Sequence, residues 1–158
     1  MQDEIIAPAP NNEYFRLWIL IAQSKDIILR ARERDYARFG ISNERRSILF
    51  TIYDCGGKST PTEIARCLFR EVHSVSEMLG RMEKDGLVTR KKVNGSNRVE
   101  VMLTPRGLEV FNQSLHSETD KRIFSVLDED ERKQLDYLLR KLHKRAFEEL
   151  GWKRWNGG

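Results

Sequence analysis

The 158-residue sequence contains two cysteines, three histidines and four prolines, and each scarcity excludes something. Cys55 and Cys67 stand twelve residues apart within segments of helical character, which is neither a disulfide framework nor a metal-binding spacing. They read as buried small apolar residues, because no basic cluster lies near them in sequence to lower a thiol pKa. His73, His116 and His143 are far apart, and there is no phosphate loop, metal-spaced Cys/His set or nucleophile elbow. The expectation is therefore a non-enzyme with no cofactor and no metal. No signal peptide and no apolar run of about 18 residues is present, so a soluble, cytoplasmic protein with reduced thiols is expected. The length suits one domain that needs no covalent staples.

What is present is concentrated between residues 60 and 107. Thr60 suits a helix N-cap, Pro61 the first helical position, and Glu63 can complete a capping box. Ile64, Cys67 and Leu68 then give that helix one apolar face. After a tight connection, Val72, Val75, Leu79 and Met82, with Met78 beside them, repeat at helical spacing and predict a second buried stripe. The opposite face carries His73, Ser74, Ser76, Glu77, Gly80, Arg81 and Lys84, and Gly86 ends the helix.

Beyond Gly86 the period falls to two. Residues 87–93 and 98–103 are strand-like and flank Asn94-Gly95-Ser96-Asn97, a strong hairpin signal. Thr104-Pro105 repeats the cap-plus-proline pattern and predicts one helix from Arg106 to about Ser125. Two short helices followed by a basic hairpin make a winged helix-turn-helix, and the fold class expected is mainly α with a small β-wing. Seven basic residues face three acidic ones between Arg81 and Arg106, a local excess equal to the +4 of the whole chain. Cations that displace counterions, beside short polar side chains able to approach base edges, point to duplex DNA.

The flanks are helical. From Asn12 to Phe39, Tyr14, Trp18, Ile21, Ile28 and Ala31 mark one apolar face, and Leu17, Leu20 and Ile27 another. A helix from Ser42 or Asn43 to Cys55 has Ile48, Leu49, Ile52 and Tyr53 as its buried positions. At the other end Asp128 and Glu131 form a capping box before Leu135, Leu138, Leu139, Leu142, Ala146, Phe147 and Leu150. Both terminal helices carry more apolar surface than the central unit needs, which predicts homodimerisation. The organisation expected is an arm at 1–11, a dimerisation helix at 12–40, a DNA-binding lobe at 41–104, C-terminal dimerisation helices at 105–151 and a tail at 152–158. The tail's Trp152-Lys153-Arg154-Trp155 is expected to pack its tryptophans on the dimer.

The stretches TPTEIA, RMEKDGLVTR, LTPRG and LDEDERKQLDYLLRKL, in this order and spacing, resemble the MarR family of transcription regulators over nearly all of residues 12–150. The resemblance implies a dimer formed by the terminal helices, two winged lobes, a pseudo-palindromic operator, repression in most relatives, and in many of them release by a small aromatic or phenolic effector. Many relatives carry an Asp-x-Arg in the wing with the arginine in the minor groove. Here Ser96-Asn97-Arg98 stands in its place without the aspartate, and Arg98 is the matching residue. The peroxide-sensing branch uses a cysteine near the start of the first long helix, and this chain has none there.

In a dimer of this type the second helix of the motif enters the major groove. His73, Ser74, Ser76 and Glu77 are then the base-edge candidates. Arg81 and Lys84 are assigned to phosphates, as are Ser59, Thr60 and Thr62 at the preceding helix start. Arg90, Lys91, Lys92, Asn94, Ser96, Asn97 and Arg98 belong to the wing. Trp18, Phe50 and Tyr53 read first as core and second as the lining of an effector cavity. The rival reading of the whole chain is a winged-helix module that binds protein without DNA, which requires an apolar outward face on the second helix.

Overall fold

The computed structural model describes residues 12–151; the expected arm and tail lie outside them, as do the tail's tryptophans. Helix α1, Glu13–Tyr36, opens on Asn12, whose Oδ1 accepts the N–H groups of Tyr14 and Phe15. It tightens into a 3-10 turn at Ala37–Phe39. Helix α2, Asn43–Asp54, is capped by Ser42. A two-residue strand β1, Lys58–Ser59, precedes α3, Pro61–Leu68. The chain then passes through Phe69 in the left-handed region into α4, Val72–Lys84. Strands β2, Val88–Lys92, and β3, Val99–Leu103, form the wing, and α5, Pro105–Ser114, α6, Thr119–Phe124, and α7, Glu129–Glu149, complete the chain.

The capping box read at Thr60 is formed: Thr60 Oγ1 accepts the Glu63 N–H at 3.2 Å, and Glu63 Oε2 accepts the Thr60 N–H at 2.9 Å. Asp128 and Glu131 make the same reciprocal pair at α7. The hairpin is antiparallel from Val88↔Leu103 to Lys92↔Val99. Its tip closes with the Ser96 N–H donating to the Val93 carbonyl at 3.1 Å, and Gly95 at φ 78° occupies the position that needs a left-handed residue. Strand β1, which the sequence reading did not anticipate, pairs with β3, so the sheet order is β1-β3-β2. With two residues it carries no periodicity to detect.

The chain divides into two compact units, one ending at Thr119 and one beginning at Asp120. The core of the first is built from Ile48, Leu49 and Ile52 of α2, Ile64 and Ala65 of α3, Val75, Leu79 and Met82 of α4, and Leu87, Val88 and Val101 at the wing's base. Phe111 of α5 is part of it. Helix α5 thus packs within the first compact unit.

Four expectations need correction. The helix read from Arg106 to Ser125 is two helices, broken between Ser114 and Thr119. The Ser114 hydroxyl turns back onto the Phe111 carbonyl, and the Ser117 and Thr119 hydroxyls donate to the buried Asp35 Oδ2 at 2.6 and 2.7 Å. A buried carboxylate must be solvated by such donors, and the break delivers them. Val72, in the first turn of α4, is 43% exposed and lines the concavity between α3, α4 and the wing. Trp18 is 61% and Tyr53 53% exposed, with Phe50 close to half exposed, so none of the three is core within one chain. Cys55 is exposed at the end of α2, and Cys67 is only partly buried. Burial nonetheless pushes the Cys67 thiol up, with the neighbouring Cys55 adding to it.

Gly107, in the LTPRG stretch, is required by close approach. A Cβ there would lie 2.0 Å from the Leu87 carbonyl oxygen, where Thr104 ties α5 to the wing: its N–H donates to Leu87 and its hydroxyl to the Gly86 carbonyl. Backbone cannot yield as a side chain does. Gly107→Ala is expected to destabilise by about 1–3 kcal/mol, lowering Tm by about 2–12 °C in a thermal melt; an unchanged Tm would show that the approach is looser than described.

Candidate nucleic-acid interface

Val75, Leu79 and Met82 hold one stripe of α4 in the core, and helical geometry turns the residues between them outward. His73, Ser74, Glu77, Arg81 and Lys84 are exposed and Ser76 is half-buried. His73 Nε2 and Glu77 Oε1 stand 3.2 Å apart, one turn from each other. Two concavities flank this face. One, of about 530 Å³, is lined by residues that include Thr62, Glu63 and Arg66 of α3, Ser76 of α4, and Asn97 and Arg98 of the wing. The other, of about 550 Å³, is lined by Glu77, Gly80, Arg81, Glu83, Lys84 and Arg90. The second helix, the preceding helix start and the wing thus converge on one surface.

Two carboxylates organise the arginines of that surface. Glu63 Oε1 is 3.4 Å from Arg98 Nη2, and Ser96 Oγ accepts the Arg98 backbone N–H, so the wing arginine leans back toward α3. Glu83 takes the Arg90 backbone N–H and Nε–H, each at 2.9 Å, with Nη2 at 2.7 Å. From sequence Glu63 is legible as the capping-box residue but not as a partner of Arg98, and Glu83 is not legible as a partner of Arg90. The available signal was the seven-residue interval from Glu83 to Arg90 across Gly86, which a helix-to-strand turn closes. Lys91, Lys92, Asn94, Ser96 and Asn97 are exposed along the wing.

The start of α3 is arranged differently from the reading. Ser59 and Thr60 are buried; the Ser59 hydroxyl donates to Glu63 Oε2, and the Thr60 hydroxyl caps the helix. Their side chains serve the cap, so they are withdrawn as phosphate ligands, and Thr62 is the exposed hydroxyl of the three. Partial burial pushes the Glu63 carboxyl up, but hydrogen bonds with Thr60 and Ser59 and the charge of Arg98 outweigh it, and the net shift is below the usual 4.5.

These features have counterparts in known proteins. A family model described as the MarR family matches residues 39–98. The organohalide-sensing transcriptional regulator RdhR is 32% identical in its ligand-free form, over 91% of this chain and 90% of its own, with a TM-score of 0.78. Its 2,4-dichlorophenol-bound form is 31% identical, covers 90% and 89% of the two chains, and gives 0.77. The chain belongs to the MarR family. The same family fold is seen in a mutant MarR from E. coli complexed with operator DNA, 24% identical over 85% of this chain and 99% of that one, with a TM-score of 0.78. The MepR–DNA complex from S. aureus gives 0.72 at 24% identity, covering 85% and 99%. No curated protein matches the sequence. In this chain Arg98 of the wing has its carboxylate partner in Glu63 of α3.

The Glu63 shift fixes the sign of a pH effect. A carboxyl whose folded pKa is depressed stabilises the fold above its unfolded value, and that contribution fades as pH falls through the folded value. Glutamine preserves the capping geometry. Glu63→Gln is therefore expected to lower the urea midpoint slightly at pH 7, with the difference from wild type vanishing below the usual 4.5. A difference that persists unchanged in acid would contradict this assignment.

Proposed function

We propose that this chain is a sequence-specific double-stranded DNA-binding regulator that acts as a homodimer on a pseudo-palindromic operator and represses transcription. The observation that carries the reading is the two-sidedness of α4: core on one stripe, short polar and cationic residues on the other. His73, Ser74, Ser76 and Glu77 lie toward its N-terminal end and are assigned to base edges. Arg81, Lys84, Arg90, Lys91 and Lys92 are assigned to phosphates, joined by Thr62 at the start of α3. Arg98, with Asn94, Ser96 and Asn97, is assigned to the minor groove. A protein-binding module would need an apolar α4 face, and of that face only Val72 at its first turn is apolar.

Dimerisation is supported by the terminal helices. Tyr14, Leu17, Trp18 and Leu20 of α1 are exposed, as are Leu138, Leu139 and Leu142 of α7, and α7 contributes no buried residue. Apolar surface on this scale calls for a partner. A dimer divides the chain functionally into a winged lobe near residues 41–104 and terminal segments that join the copies. Since RdhR is described as organohalide-sensing and is seen with 2,4-dichlorophenol, a small aromatic effector is the class assigned here, with the exposed rings of Trp18, Phe50 and Tyr53 available to it.

Footprinting on the DNA upstream of the chain's own coding region tests the reading. Expected are two symmetric protected half-sites about one helical turn apart, with log K falling against log salt by about 0.9 for each phosphate engaged. Arg81→Ala should weaken operator and unrelated duplex alike, whereas Ser76→Ala should change discrimination between bases by about 1–3 kcal/mol. Absence of protection at any salt would favour the protein-binding module.

A further inference from the structure

Gly80 sits in the interior of α4, on its outward face, where glycine weakens a helix. It has no positive φ, and the core does not press on it. The three heavy atoms nearest to a Cβ placed there belong to the Arg90 guanidinium, with Nη2 at 3.7 Å and Nη1 at 3.9 Å, at ordinary van der Waals contact. Arg90 springs from the wing strand, yet Glu83 draws its guanidinium back over α4 through Nε and Nη2. A guanidinium has five N–H donors in a rigid fork, so donors on Nη1 remain for another oxyanion. Arg81 and Lys84 line the same concavity.

We propose that Glu83 is a positioning residue for DNA binding: with Gly80 leaving the space beneath, it fixes Arg90 across the C-terminal half of α4, so that Arg90, Arg81 and Lys84 form one seat for a backbone phosphate. The inference rests on the reading that this face meets duplex DNA, and it adds an acidic residue to the binding machinery. By charge alone a carboxylate beside a phosphate repels it, so Glu83 would weaken binding. By pre-organising an arginine that otherwise samples many rotamers, it strengthens binding. The two roles predict opposite signs.

Fluorescence anisotropy on the upstream duplex, at several salt concentrations, separates them. Glu83→Gln is expected to bind about two- to fivefold more weakly than wild type, although it makes the protein more positive. In an Arg90→Ala background the same substitution is expected to leave affinity unchanged or tighten it, since only the repulsion is then removed. Arg90→Ala alone should flatten the salt slope by about 0.9. Gly80→Leu, which keeps every charge and favours the helix, should weaken binding more with Arg90 present than in the Arg90→Ala background, and it carries the test if Glu83→Gln fails to fold. Tighter binding by Glu83→Gln with Arg90 in place, or equal weakening in both backgrounds, overturns the proposal while wild-type binding still stands. Wild type that binds no duplex at any salt overturns the DNA reading and this inference with it.

Discussion

Val75, Leu79 and Met82 are shut into the core of the winged unit, and that burial fixes the rotation of α4 about its own axis. Side chains like these contribute about 1.5–3 kcal/mol each when fully buried, so turning the helix to present another face would expose several kcal/mol of apolar surface. The polar stripe therefore faces outward by default. The wing is tied to the same anchor: Leu87, Val88 and Val101 join the core, Thr104 bonds back to Gly86 and Leu87, and the hairpin rises beside the face that α4 presents.

Within that frame, carboxylates do the fine positioning. Glu63 holds Arg98, Glu83 holds Arg90, and Glu77 faces His73. Each lowers the net positive charge of a surface whose partner is a polyanion, and each restricts a long side chain or ring to one place. The exposed pairs contribute little to stability; their consequence is geometric. A basic surface with free cations would bind any duplex, whereas one with its arginines held in register can favour a particular groove shape.

Much of this was legible in the sequence because it is local. Capping boxes at Thr60 and Asp128, the Asn94-Gly95 hairpin and the stop at Gly86 depend on residues within a few positions, and all are present. What escaped depends on distant partners. The break after Ser114 answers to Asp35, some eighty residues earlier, and nothing near Ser117 announces it. Ser59 and Thr60 look like free helix-start hydroxyls until Glu63 and the β1 pairing enclose them. Tyr53 and Trp18 fit an apolar period, but period tells which side a residue lies on, not whether anything covers that side.

The uncovered sides of α1 and α7 are where the single chain is incomplete. Tyr14, Trp18 and Leu20 on one, and Tyr137, Leu138 and Leu142 on the other, stay exposed, and ion pairs such as Lys133–Glu129 and Arg140–Asp136 support α7 without covering its leucines. In the proposed dimer a second copy covers them and thereby sets two α4 helices to work together. Sedimentation equilibrium measures this directly: a species of twice the 18.6 kDa chain mass is expected at micromolar concentration, and a species of single-chain mass across the whole accessible range would rule the dimer out.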